Sequence, residues 1–166
     1  MPFLERRILI SPTHGIMKAN TIINNLVLPS KFIEDINNDL FKREIGCWNL
    51  IKSEDYFGNI LETEIGEVYS TQNRISEETR NLHKSFKADG FYGENIPDLK
   101  GPGAIPDIID FAKIICFALS GDGSPFCFDY RNSSVNPSII WWDDVCWRKI
   151  APDYESFIRL FNFDKD

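Results

Sequence analysis

The sequence predicts an α+β domain in which an antiparallel β-sheet meander is flanked by helices. Three observations carry this. Between residues 113 and 150 the chain passes through successive apolar or alternating segments separated by short turns, as strands joined by hairpins do. The next segment, APDYESFIRLFNF, bears an apolar stripe at helical spacing. Helical patterns also lie upstream, near 28–40 and 76–90, so helices are present to cover the sheet. At 166 residues the chain has the size of one domain with its own core. No repeat, low-complexity tract or Gly/Ser linker divides residues 1–166.

Residues 1–27 are the hardest to assign; FLERRILI is compatible with a strand, and SPTHG is a turn. In LPSKFIEDINNDL, Phe32, Ile33, Ile36 and Leu40 recur at helical spacing, with Ser30 placed to cap the helix. Cys47–Ile51 and Glu64–Tyr69 read as short strands, with a polar turn around Asp55 to Gly58. Ser76, Glu77 and Glu78 predict the start of a second helix, because acids in a first turn complement the helix dipole. That helix carries Leu82 and Phe86 four apart and should stop near Gly90. Residues 89–106 are rich in Gly and Pro and predict a long loop, the kind of segment that often carries function.

The strand-rich part follows. KIICFALS is an apolar run bounded by turn signals, hence a buried strand, and Gly121–Ser124 is a tight hairpin turn. In PFCFDYR the residues alternate. Phe126, Phe128 and Tyr130 face one way; Cys127, Asp129 and Arg131 face the other. RNSSVNP is a loop, SIIWWD a further strand and CWRKI the last. The closing helix is expected over 152–162, with Pro152 at its first position and Tyr154, Phe157, Ile158 and Phe161 on one face.

The net charge of −7 argues against direct nucleic-acid binding, which needs a basic footprint. It suits a basic protein partner. Residues 54–78 carry seven acids and one base, and residues 89–144 carry nine acids and three bases, so each segment is about −6. Solvated loops alone would also account for these acids. The 13 Phe, 5 Tyr and 4 Trp can serve a core or an interface, and composition does not separate the two. Cys47, Cys116, Cys127 and Cys146 form no CxxC pair, and the last three sit in apolar runs; reduced, mostly buried thiols are expected. No apolar stretch is long enough to span a membrane and no secretory leader is seen, which predicts a cytoplasmic protein.

Motifs for chemistry are sparse. A nucleophilic triad needs a His, and His14 and His83 are the two present, in a turn and on a helix. Clustered Cys and His for zinc are absent, GDGSPFCFD lacks calcium-loop spacing, and Gly101-Pro102-Gly103 lacks the Lys-Ser/Thr of a phosphate loop. Asp107 and Asp110 would share a face if helical, as an acid/base pair or as solvated caps. No catalytic residue, cofactor or metal is therefore expected.

From Lys113 to Phe161 the ordered series is more specific than any single motif. It comprises the apolar strand Ile114–Ala118, the Gly-Asp turn Gly121–Gly123 and the aromatic strand Phe126–Asp129. The aromatic strand Ile139–Asp144, ending in acids, and the helix Ile150–Phe161 complete it. This series resembles the SUKH superfamily of bacterial immunity proteins and fungal cell-wall-synthesis regulators, best over 105–162, with Leu28–Phe32 similar to the family's early helix. The chain departs from the family at NNDLFKREIG, where an Asn-Gly turn is common. The resemblance implies a binding module, not an enzyme: an immunity protein that neutralises a polymorphic toxin, often a nuclease, by direct contact. A non-toxin regulatory or scaffold module of the same superfamily is the alternative, and an enzyme with a cryptic carboxylate site the third.

Trp141-Trp142-Asp143-Asp144 is the most informative local run. In a strand the two indoles point to opposite faces, so one is core and the other nearer solvent, unless both pack beneath the terminal helix. Trp is enriched at interface hot spots, and adjacent acids suit a basic partner. Asp122, Asp129, Arg131, Trp142, Asp143 and Asp144 are accordingly the candidate partner-binding residues, with Asp129 and Arg131 also able to pair with each other.

Overall fold

The computed structural model describes residues 16–42, 46–89, 101–106 and 108–163. The strand and turn expected within residues 1–15, including His14, and most of the 89–106 loop lie outside the described residues.

The architecture is α+β. A short hairpin, β1 (Ile22–Ile23) and β2 (Leu26–Val27), stands apart from a curled sheet of six strands. Those strands are β3 (Trp48–Asn49), β4 (Glu64–Val68), β5 (Ile114–Ser120), β6 (Pro125–Asp129), β7 (Ser138–Trp142) and β8 (Trp147–Ala151), each antiparallel to the next in chain order. The β1–β2 turn is Asn24-Asn25, with φ of 52° and 67°. Asn tolerates this left-handed pair, which the twist of a two-residue hairpin requires.

Among the described residues three helices cover the sheet: α1 (Ser30–Asn37), α2 (Gln72–Asp89) and α3 (Tyr154–Ile158). Each is displaced from its sequence expectation by a local cause. Pro29 occupies the cap position of α1, so Ser30 is the first helical residue and not the cap; beyond Asn37, Asp39 at φ 60° ends the helix before Leu40. The second helix opens at Gln72, because the Thr71 hydroxyl accepts the Arg74 amide (3.1 Å) and places Ser76, Glu77 and Glu78 beyond the first turn. Asp153 caps α3 by accepting the Ser156 amide (2.8 Å), leaving Pro152 outside it. Asp110 lies in a non-helical stretch and accepts the Ala112 amide, and Asp107 lies outside the described residues.

The two sheet faces bury different aromatic sets. On one, Phe32 of α1 makes edge contacts with Phe117, Phe128 and Tyr154, at 5.5, 5.2 and 5.5 Å between ring centres. Phe157 of α3 packs on Phe117 and Phe126. On the other face, Phe86 of α2 meets Trp142 and Trp147 at 4.9 and 5.1 Å. Buried polar links tie these layers: the Tyr154 hydroxyl donates to Asp35 (2.8 Å), and the Tyr130 hydroxyl donates to the Val27 carbonyl (2.7 Å). At a β5 irregularity between Cys116 and Ala118, the Cys116 amide donates to the Thr79 hydroxyl (3.0 Å). None of the four cysteines forms a disulfide, and Cys116, Cys127 and Cys146 are buried, as their apolar neighbours predict.

The loop from 50 to 63 links the two ends of the curled sheet. At its start, the Ile51 amide donates to Leu160 and Asn162 donates to Asn49, both at 2.8 Å, so the chain after α3 pairs with β3. Farther along, the Tyr56 amide donates to Ile150 of β8 (3.0 Å), and Ala104 bridges Arg148 on the same strand. Between these ties sits a buried ion pair. Arg148 Nη2 donates to Asp55 Oδ2 at 2.7 Å, the two side chains being 7% and 0% exposed. The other Asp55 oxygen accepts the Phe57 and Asn59 amides, at 2.8 and 3.0 Å. The turn expected at Asp55–Gly58 is thus present, built around a buried carboxylate.

Removing one partner of a buried pair typically costs about 3–5 kcal/mol, because the other charge is left uncompensated. Arg148→Met should therefore lower unfolding stability by about that amount. Arg148→Met combined with Asp55→Asn should recover part of the loss. Urea denaturation of both variants, at constant m-value, checks this.

Candidate functional site

The meander decides which candidate residues meet. The turns after β5 and after β7 lie at one end of the sheet, and the turn after β6 lies at the other. Asp122, Asp143 and Asp144 therefore share an end, whereas Asp129 and Arg131 sit at the opposite end. Pairing of Asn49 with Glu64 and of Ile65 with Ser120 brings Glu64, and Glu62 in the loop before it, to the Asp122 end. Gly121 approaches Glu64 so closely that a Cβ there would lie 3.0 Å from its carboxyl carbon.

These acids differ in what already engages them. Asp122 is exposed and accepts hydrogen bonds from the Ser120 hydroxyl and, at 3.4 Å, the Ser124 amide. The Ser120 bond, more than any other contact, holds its carboxyl below the usual carboxylate range. Asp143 is half-buried and accepts the Val145 and Cys146 amides at 3.1 and 2.9 Å, so it organises its own turn. Asp144 is exposed, at φ 74°. Glu62 is exposed and Glu64 half-buried.

At the other end, Arg131 binds Asp129 through two parallel hydrogen bonds of 2.9 and 2.8 Å, and its amide adds a third at 3.0 Å. The Asp129 side chain is 4% exposed, so this pair shapes the loop after β6. Trp141 and Trp142 do face opposite sides. Trp141 stacks on Phe126 on the α3 side, and Trp142 is half-buried against Phe86 and Trp147 on the α2 side. His83 lies 3.3 Å from the Ile114 carbonyl through Nε2, a contact that ties α2 to β5.

Sequence reasoning missed Glu62 and Glu64 as members of the acidic end, because only strand pairing brings them beside Asp122. It also missed Tyr69 and the groove beside it. Among the described residues, no group of three or more His, Cys, Asp or Glu is placed to hold a metal ion, and no helix is long and apolar enough to cross a membrane.

An α+β meander sheathed by helices, with turn acids gathered at one end, is the class of domain observed. The model of the SMI1 / KNR4 family (SUKH-1) matches residues 25–160, and the chain belongs to that family. The match extends well upstream of the part whose sequence carries the resemblance and takes in α1, β3, β4 and α2. No curated protein and no solved structure matches the chain.

Two predictions follow from the turn geometry. Asp143→Ala removes two backbone hydrogen bonds and should cost about 1–2 kcal/mol, whereas Asp144→Asn, which keeps a residue tolerant of positive φ, should leave thermal unfolding unchanged. Because the Asp122 pKa is lowered on folding, its contribution to stability is present above the ordinary carboxylate range and is lost as pH falls through the lowered value. Ser120→Ala should move the Asp122 titration back up, as followed by NMR of the carboxyl group.

Proposed function

We propose that this chain is an immunity-type protein that neutralises a cognate toxin by direct contact, with its acidic end covering a basic surface such as a nuclease presents. Membership of a family of immunity and regulatory modules supports the binding role. The gathering of Glu62, Glu64, Asp122, Asp143 and Asp144 at one end carries the choice of surface. Complementary potential steers encounter and excludes like-charged competitors, and the close pairs that become desolvated add affinity. The protein acts in the compartment where the toxin is made, which the reading places in the cytoplasm.

Co-purification from the native host, followed by mass spectrometry, identifies the partner. Expressed alone, that partner should arrest growth, and co-expression of this chain should restore it. Glu62→Lys with Asp144→Asn should weaken binding by about tenfold, or ~1.4 kcal/mol, and flatten its salt dependence without lowering the unfolding temperature. A harmless partner would instead favour a regulatory or scaffold module; tight binding indifferent to both substitutions and to salt would remove the acidic end as the interface.

A further inference from the structure

A groove of about 240 Å³ runs between α2 and the β5–β6 hairpin. Its buried members are Tyr69, Leu82 and Cys116, and Phe86, Leu119 and Pro125 add apolar wall. Glu78, Asn81 and Ser85 form the helix side of its rim, and Gly123 places the mouth next to Asp122. Phe86 also supports Trp142, so the groove adjoins the one indole of the Trp141-Trp142 pair that is nearer solvent.

The floor is not inert. Tyr69 is 1% exposed, and its hydroxyl has no hydrogen-bond partner among the described residues. Leaving such a donor unmet in the interior is destabilising, because its hydration is lost and nothing replaces it. Burial, reinforced by Cys116 and the nearby Glu78 and Glu67, pushes the phenol pKa up, so the group stays protonated and keeps its donor. Arg74 lies 4.7 Å over the ring and pairs with both Glu67 and Glu78, at 3.2 and 3.1 Å. One cation thus serves two carboxylates, and with Asp122 and Glu64 beside the hairpin the groove mouth keeps an excess of negative charge.

We infer that this groove is the anchor site of the interface: it seats one apolar side chain from a basic segment of the protein partner, whose carbonyl oxygen takes the Tyr69 hydroxyl. The inference rests on the immunity reading for the partner's identity, and adds to it the place of contact and the chemistry recognised there. An apolar side chain fits the wall of Leu82, Phe86 and Leu119, a carbonyl satisfies the unmet Tyr69 donor, and flanking Lys or Arg meets the acidic mouth.

Two variants test it against the co-purified toxin whose lethality this chain suppresses. Tyr69→Phe deletes only the hydroxyl. Unfolding should be unchanged or occur at a higher temperature, while toxin affinity falls about five- to tenfold. Asn81→Trp fills the groove from the exposed rim and should weaken binding by about tenfold or more while the protein stays folded. A merely structural hydroxyl, bonded to an internal water, would give the reverse pattern: Tyr69→Phe less stable, affinity intact. That result, or binding by both variants within about twofold of the parent, overturns the groove while leaving the immunity function standing. Failure of the unaltered chain to bind or silence any toxin overturns both, and is distinguished by needing no variant to see it.

Discussion

The Asp55–Arg148 ion pair is the constraint on which the rest of this molecule turns. A six-stranded antiparallel sheet that curls brings its first and last strands toward each other, and something must occupy the gap. Here the loop after β3 does so, and its course is set by a carboxylate with no exposure and a guanidinium with little. Two buried charges are costly unless each finds hydrogen bonds, and Asp55 finds three. The same loop dictates neighbouring detail. Gly103 is placed so that a Cβ would sit 2.8 Å from the Asn59 side-chain Nδ2, so a larger residue in the short turn at Gly101–Gly103 would displace the end of that side chain. Ile51, Tyr56 and Ile60 are held outward at 64%, 54% and 74% exposure.

The acids divide into those spent on the fold and those left exposed. Asp35, Asp55 and Asp129 are buried and committed to Tyr154, Arg148 and Arg131. Asp143 is committed to its own turn. Glu62, Asp122 and Asp144 are exposed at one end of the sheet. A net charge read from composition mixes these groups, although only the last presents its carboxylates to solvent.

What the sequence made legible follows the range of the forces involved. The strands from 114 to 151 were readable because alternation, apolar runs and Gly-Asp-Gly are local signals, and the register later paired Cys116 with Cys127 and Phe128 with Ile139 across them. Helix starts were less legible: Ser30, Ser76 and Pro152 each resemble a starting residue, yet Pro29, Thr71 and Asp153 hold those roles. The Asn24-Asn25 hairpin had a local signal, two Asn between apolar pairs, that went unread. Asp55 looked like an ordinary turn acid because its partner lies 93 residues away. The groove beside Tyr69 had no sequence signature at all, since it is formed by a helix crossing a hairpin about 30 residues or more downstream. The grouping of Asp122 with Asp143 and Asp144, by contrast, follows from strand order alone.

The way the sheet edges are finished has a consequence for how this protein can be recognised. The outer side of β8 is taken by Tyr56 and Ala104, and the end of β3 by the chain from Leu160 to Asn162. Backbone groups that would template an added strand are already engaged at both margins. Main-chain augmentation, in which a peptide extends the sheet and is read only weakly for sequence, is therefore blocked at these sites. At these margins contact is left to side chains on turns, loop and helix. Such a surface can diverge residue by residue without disturbing the ladder beneath it.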